Sequence, residues 1–407
     1  MLSITSLLRD HSWKSGADER AKNGRTRGIS ALDAAIANKY IPAPRPVVAW
    51  TVTHACNLRC THCYAAANNR PAARELTFHE SVSLLDDLRD FQVPAVLLSG
   101  GEPLVRPDFM RLLGHAKAIG MPISLSTNGL LLDDALADKL AKLRVCDIGI
   151  SIDGTCATHD KLRGRPGAYA AAIAAIHRCH ARGIQAGVRF TMHKLNYQEL
   201  PSVFDLCLRE GINRLCIYHL PYAGRAGKMQ DLGLTVEETR KAITYVFKRA
   251  CMEHASESPL EIFTIGNRAD AACLLQYLEK QDPDRGRTVR ARLEKTVGHT
   301  DGSNLATIDA AGNVHYEQFS WHYSCGNVRE TPFSRLWSDA ADGRLSVFRH
   351  RDAHLPKRCH HCRFFDICNG NIPTRPDAAT GDWLAFDSGC CLTEDETCMP
   401  RMFLAPR

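Results

Sequence analysis

The chain has 407 residues, 44% hydrophobic and 24% charged, which is enough for a large core and more than one domain and too apolar for a disordered protein. A net charge of +6 is too mild at this length to argue for nucleic acid. Seventeen cysteines, an odd number in a chain too large to need staples, suit a reducing compartment where thiols bind metal or sit buried.

Residues 1–45 read as a loosely packed lead-in, basic around Lys14–Arg27 and proline-rich at Pro42, Pro44 and Pro46. The apolar start stops at Arg9 and Asp10, too short for a signal segment, and no stretch reaches the length of a membrane span. The expectation is a cytoplasmic protein with no membrane and no nucleic acid among its partners. A βα rhythm then sets in, with buried-strand patterns at 47–52, 95–98, 123–126, 147–152, 187–192 and 214–219. Thr77 and Glu80 form a capping box for the first intervening helix, and 168–176 and 200–209 are further amphipathic helices. Strands alternating with helices imply right-handed crossovers and a parallel sheet. Six units are too few for an eight-fold barrel and enough for a curved partial one, spanning 46–225. A capped helix near 235–255, a strand at 260–265, a helix at 270–279 and a polar break at 282–287 form a bridging, mainly helical segment, 226–300. A hairpin from 305–308 and 314–316 opens the last domain, 301–407.

After the first strand the chain reads Cys56-Asn57-Leu58-Arg59-Cys60-Thr61-His62-Cys63. Three thiolates on one loop are one short of the four that close a cubane iron–sulfur cluster, which leaves one iron open for chemistry. Structural zinc wants four ligands, and only His54 and His62 lie near enough to complete them. Other unusual residues also fall at strand ends. Gly100-Gly101-Glu102-Pro103 follows the second strand, Thr127-Asn128-Gly129 the third and Asp153-Gly154 the fourth; Thr191 and His219 end the fifth and sixth. In a parallel barrel these ends share the rim where active sites form. Each has a plainer use as a turn or a helix cap. Beside the cysteine loop, Gly100, Gly101, Glu102 and Pro103 are expected to receive a ligand ammonium group. Ser126, Ser151 and Asp153 are expected to meet ribose hydroxyls, and Asn128 is expected to be a further cofactor-binding residue. Arg189, if it points inward, needs an anion such as a ligand carboxylate.

On the three-cysteine loop with a ring residue (His62) before the last cysteine, the Gly-Gly-Glu-Pro turn and the partial (β/α)6 barrel, the chain resembles the radical SAM superfamily. The resemblance implies a 4Fe-4S cluster on the catalytic cysteines Cys56, Cys60 and Cys63, with S-adenosylmethionine on the open iron. An electron, from a donor such as flavodoxin or ferredoxin, then cleaves the sulfonium to methionine and a 5′-deoxyadenosyl radical.

Near the C-terminus, Cys359-His360-His361-Cys362, Cys368, Cys390-Cys391 and Cys398 make a C-x2-C-x5-C framework with a distant fourth thiol. A zinc knuckle has the same outline. The arrangement is similar to the SPASM extension of radical SAM enzymes, which holds auxiliary 4Fe-4S clusters. It departs from the full pattern at Ile372 and around Gln318, where further cysteines are missing. The resemblance therefore implies two 4Fe-4S clusters in all, the auxiliary one on Cys359, Cys362, Cys368 and Cys390, with Cys391 competing for the fourth place. Cys325 follows the hairpin; Cys146, Cys179, Cys207, Cys216, Cys251 and Cys273 are expected to pack as small hydrophobes.

The stretches 218–225, 314–319, 322–324 and 368–371 narrow the likeness to the NirJ family, radical SAM proteins of heme d1 biosynthesis. That family is understood to remove two propionate side chains from 12,18-didecarboxysiroheme. Relatives in the siroheme-to-heme route share most of these motifs. A tetrapyrrole substrate implies rim cations and imidazoles, with His219 and Arg225 ahead of His315 and His322, and other heme d1 pathway proteins as partners. Two further readings compete. A SPASM peptide-modifying enzyme would usually carry a docking domain ahead of the barrel. An electron carrier or zinc-binding interaction protein has no use for Glu102 and Asp153 on the rim of the cysteines.

Overall fold

The structure, a computed structural model, describes residues 1–9, 45–253, 260–296, 304–339 and 343–397. Its strands, in chain order, are β1 (Leu2–Ser3), β2 (Val47–Thr51), β3 (Val96–Ser99), β4 (Ile123–Thr127), β5 (Asp147–Ser151), β6 (Ala186–Met192), β7 (Arg214–His219), β8 (Glu261–Ile265), β9 (Leu305–Ile308), β10 (Asn313–His315) and β11 (Gly326–Asn327). They form one sheet in the order β1-β8-β7-β6-β5-β4-β3-β2-β9-β10-β11. The run from β2 to β8 is parallel throughout, with Thr51 opposite Ser99, Thr127 opposite Ile150, Ser151 opposite Arg189 and Met192 opposite His219. This register brings the expected strand ends to one rim.

Strands covered on both faces read as continuous apolar runs, and β2, β3 and most of β5 are buried at every position. The helices supply the outer layer. Phe78–Asp90, closed by the Thr77–Glu80 capping box, buries Leu84, Leu85 and Leu88. Ala168–Ala181 lays Ala172, Ala175, Ile176 and Cys179 on the sheet, and Leu200–Arg209 adds Val203, Phe204 and Cys207. Burial pushes the thiols of Cys179 and Cys207 up to about 11 and about 12, as inert apolar fillers. Cys146 and Cys251 are half-buried and Cys156 is exposed.

Three expectations change. The first nine residues are not loosely packed: β1 pairs antiparallel with β8, and Ile4–Leu8 forms a short helix whose Ile4 and Leu8 are buried. Thr5 Oγ1 accepts the N–H of Ile262 at 3.0 Å, which ties this segment to the sheet. The rest of the expected lead-in, 10–44, lies outside the described residues. Second, the sheet does not stop at six parallel strands: β8 extends it at one margin, and β9 lies parallel to β2 at the other. Third, the polar stretch 282–287 opens the helix Pro283–Thr296. Asp282 Oδ1 accepts the N–H of Arg285 at 3.1 Å, and proline suits a first helical position, so the break is a cap. No helix among the described residues is long and apolar enough to cross a membrane.

Candidate active site

The cysteine loop leaves β2 and is held from several sides. Glu75 Oε1 accepts the N–H groups of His54 (2.7 Å) and Ala72 (2.8 Å), and Cys56 N–H donates to Asn68 O at 2.6 Å. The glycine turn packs against the loop's stem: Gly101 N–H donates to Thr53 O and Glu102 N–H to Ala55 O, both at 2.8 Å. A Cβ at Gly101 would run into the carbonyl oxygens of Ala55 and His54, so the position requires glycine for close approach. Arg225 closes the far side, with Nε on Cys60 O and Nη1 on Ala67 O, both at 2.7 Å, and its backbone N–H on Cys63 O at 2.9 Å. The residue expected to meet substrate is thus a clamp on the loop, although it also borders the cleft.

Cys56, Cys60 and Cys63 line one end of a cleft. Burial pushes the Cys56 thiol up to about 12; burial also raises Cys60, against the pull of Arg163, whose Nη1 stands 3.5 Å from its sulfur. The buried thiols of Cys56 and Cys60 give up their protons readily only when a cationic group arrives beside them, and iron is such a group. The donor set and its buried, apolar surround of Leu58, Ala65 and Ala67 fit an iron–sulfur cluster.

Gly100, Gly101, Glu102, Ser126, Asn128, Ser151 and Arg189 stand on the wall of the same cleft, with His62, Tyr64, Tyr218, Gln318 and Phe319. Glu102 is 1% exposed and accepts Thr127 Oγ1 and the N–H of Asn128, both at 2.7 Å, and the N–H of Leu104 at 3.2 Å. Burial outweighs these bonds and pushes its carboxyl up to about 7. Pro103 stands behind the wall, opening a short 3-10 turn. Asn128 reaches toward the loop, donating to Asn57 Oδ1 at 2.7 Å.

Asp153 does not face a ribose. It is fully buried behind the loop, where its carboxylate meets Arg163 Nη2 at 2.5 Å, His62 Nε2 at 3.1 Å and the N–H of Thr191 at 3.1 Å. Burial alone would raise its pKa; the Arg163 and His62 charges override that and hold the carboxyl well below the usual range. Arg163 shows the reciprocal effect, with Asp153 outweighing burial to strengthen its charge. Sequence reading missed Arg163. The one available signal was its place in a basic stretch after the fourth strand.

Arg189 does point into the barrel. Its Nη1 meets the Tyr218 hydroxyl at 3.1 Å, its Nε is buried without a partner, and a Cβ at Gly149 would occupy the same space as the guanidinium. Arg189, Tyr218, Gln318 and Phe319 also border a second, larger chamber. That chamber runs through the barrel interior to Gly266, Asn267, Arg268 and Ile372. No imidazole lines it among the described residues. His219 is buried against Asp270 (Nε2 to Oδ2, 2.9 Å), His315 bonds Tyr323 O at 2.8 Å, and His322 pairs with Asp377 at the surface. The expectation that His219 meets a tetrapyrrole substrate at the rim is therefore not supported: packing against the helix Ala269–Gln281 turns it away.

In the C-terminal region, Cys359, Cys362, Cys368 and Cys390 line a single small cavity. Burial again raises the thiols of Cys359, Cys368 and Cys390, that of Cys359 to about 11. Cys391 points away and is disulfide-bonded to Cys273, which therefore is not a simple core filler. Cys325 Sγ lies 3.3 Å from Val314 O, within the hairpin. Cys398 lies outside the described residues.

The sequence pattern of the radical SAM superfamily matches residues 50–207, and that of an iron–sulfur cluster-binding domain, SPASM, matches 300–363. The chain belongs to the radical SAM superfamily, as an enzyme with a SPASM extension, and binds S-adenosylmethionine and iron–sulfur chemistry. It is 40% identical over 356 residues to the Fe-coproporphyrin III synthase of Methanosarcina barkeri, covering 86% of this chain and 89% of that one. It is 39% identical to the Pre-heme d1 synthase of Dinoroseobacter shibae, covering 87% and 88% respectively. Among solved structures, Streptococcus suis SuiB bound to S-adenosylmethionine shares the fold with a TM-score of 0.65 at 18% identity, covering 86% of this chain and 78% of that one.

Proposed function

We propose that this enzyme removes propionate side chains from 12,18-didecarboxysiroheme in heme d1 biosynthesis. The observation that carries the reading is the large barrel chamber that shares Arg189, Tyr218, Gln318 and Phe319 with the cleft of the cysteine loop. A macrocycle in the chamber would bring one side chain to the adenosine end of the cleft, where proximity does much of the work. The names of both relatives refer to heme-type tetrapyrroles, which supports the class. When bound, the cluster and S-adenosylmethionine supply a hydrogen-abstracting radical.

The chain's own residues account for the rest. Arg225, Arg163 and Glu75 fix the loop, and Glu102 offers a buried carboxylate to the cofactor's ammonium group. Arg189 brings a cation to the divide between cleft and chamber, where it suits a carboxylate of the cofactor. The surrounding apolar wall excludes water from the radical. We assign one cluster to Cys56, Cys60 and Cys63 and a second to Cys359, Cys362, Cys368 and Cys390, about eight irons in all. A low-potential donor of the flavodoxin or ferredoxin kind and other heme d1 pathway proteins complete the setting. We place it in the cytoplasm on the reducing-compartment reading of its thiols.

The 40% identity to an Fe-coproporphyrin III synthase favours one second reading, a role in the siroheme-to-heme route. The test is anaerobic turnover of didecarboxysiroheme with S-adenosylmethionine, followed by mass spectrometry of the pigment. Loss of two propionate fragments supports the first reading. Fe-coproporphyrin III as product would replace it with the second, and an unaltered pigment would refute both.

A further inference from the structure

We propose that the outer face of the cysteine loop, with the end of the helix Cys156–Arg163, is the dock for an acidic one-electron carrier protein. The three cysteines line the cleft, whereas the interleaved Arg59 and Thr61 are exposed on the opposite side. Those exposed residues give an approach to the loop from outside the cleft.

The surface around that approach is basic. No aspartate or glutamate occurs from residue 55 to 74, while Arg59, Arg70 and Arg74 do, and all three are exposed. The helix end joins the same face: Thr61 N–H donates to Leu162 O at 2.9 Å, and a Cβ at Gly164 would sit 3.3 Å from Arg59 O. It adds exposed Lys161 and Arg165, in a stretch with no acid from 161 to 198. Asp160, the acid just before, is occupied by the N–H groups of Gly167 (2.6 Å) and Tyr169 (2.8 Å). Among the described residues none of these five cations makes an ion pair, whereas Arg163 between them is buried on Asp153 and Cys60. Solvated cations on and beside the cysteine loop, with the neighbouring acids Glu75 and Asp160 already engaged by backbone N–H groups, steer an acidic partner and fit the rim of a transient electron-transfer complex. The transfer itself is simple: a reduced flavin hydroquinone in the carrier gives up one electron and becomes the semiquinone, and the cluster gains that electron. No bond forms or breaks.

The inference rests on the reading of the loop as a cluster site, and the experiment separates the two. Holoenzyme is mixed anaerobically with reduced flavodoxin, an acidic flavoprotein, or with dithionite, and cluster reduction is followed by its visible bleaching and EPR signal. In Lys161→Glu/Arg165→Glu, which leaves the cysteine loop's sequence untouched, reduction by flavodoxin should slow by roughly tenfold or more and lose its salt dependence. Reduction by dithionite and iron content should match the parent. Arg59→Glu should act in the same direction, and Lys139→Glu, an equal charge change on an exposed helix elsewhere, should not. Equal flavodoxin rates in parent and double variant would overturn the dock. Failure of both reductants on the parent would overturn the cluster reading and the dock with it.

Discussion

Removing the carboxylate of Asp153 strands Arg163. In the structure this acid is fully buried and the Arg163 side chain is 11% exposed, with the two 2.5 Å apart. Breaking a buried pair from one side leaves an uncompensated charge and costs about 3–5 kcal/mol. For a chain of 407 residues that lowers the melting midpoint by roughly 3–6 °C. Asp153→Ala should therefore melt early in anaerobic circular dichroism scans. It should also bind less iron, because Arg163 donates to Cys60 Sγ and loses its anchor. Asp153→Ala/Arg163→Met removes both charges and should recover a large part of the lost stability. The pH dependence has a definite sign. The carboxyl is held below its unfolded value, so its stabilisation is present above the ordinary carboxylate range near about 3.9 and is lost as pH falls through the folded value. Neutral pH leaves it intact. A midpoint of Asp153→Ala within about 1 °C of the parent, or purely additive losses in the double variant, would refute the reasoning.

Glu102 should make cofactor affinity pH-dependent: as pH falls through about 7 its carboxyl takes up a proton and the ammonium group of S-adenosylmethionine loses its counter-charge. Equilibrium binding to holoenzyme should weaken on acidification, and Glu102→Gln should bind weakly with a flat profile. Of the adjacent thiols at the C-terminal end, Cys390→Ser should cost about half the iron and Cys391→Ser should spare it; the reverse order, measured by iron and sulfide assay, would reassign the fourth ligand.

Much of the barrel was legible because parallel strands and amphipathic helices leave periodic marks, and the cysteine and glycine motifs sit on loops where spacing is read directly. What escaped depends on contacts across sequence. Nothing local says that Asp153 turns inward to Arg163 and His62 rather than outward to a ribose. A strand-end acid can do either, and the choice is made by a helix ten residues on. Arg225 was visible as a rim cation, yet its two side-chain bonds to the loop join residues 158 and 165 positions apart. His219 was misjudged for a similar reason, since Asp270 lies 51 positions away. The choice between Cys390 and Cys391 turns on which of two adjacent side chains faces inward, which spacing does not encode.

The eleven-stranded sheet is open, and an open sheet has two margins at which a neighbouring chain could add itself by backbone pairing. Here both margins are strands of only two residues, Leu2–Ser3 and Gly326–Asn327. So short a row of free donors and acceptors gives an incoming strand little to register against. Five-residue β8, whose Ile262 and Phe263 are buried, lies just inside one margin, covered by the very start of the chain. The first nine residues thus serve as a hem: they keep an apolar strand from becoming a template for self-association while leaving the barrel's interior roomy enough for a large guest.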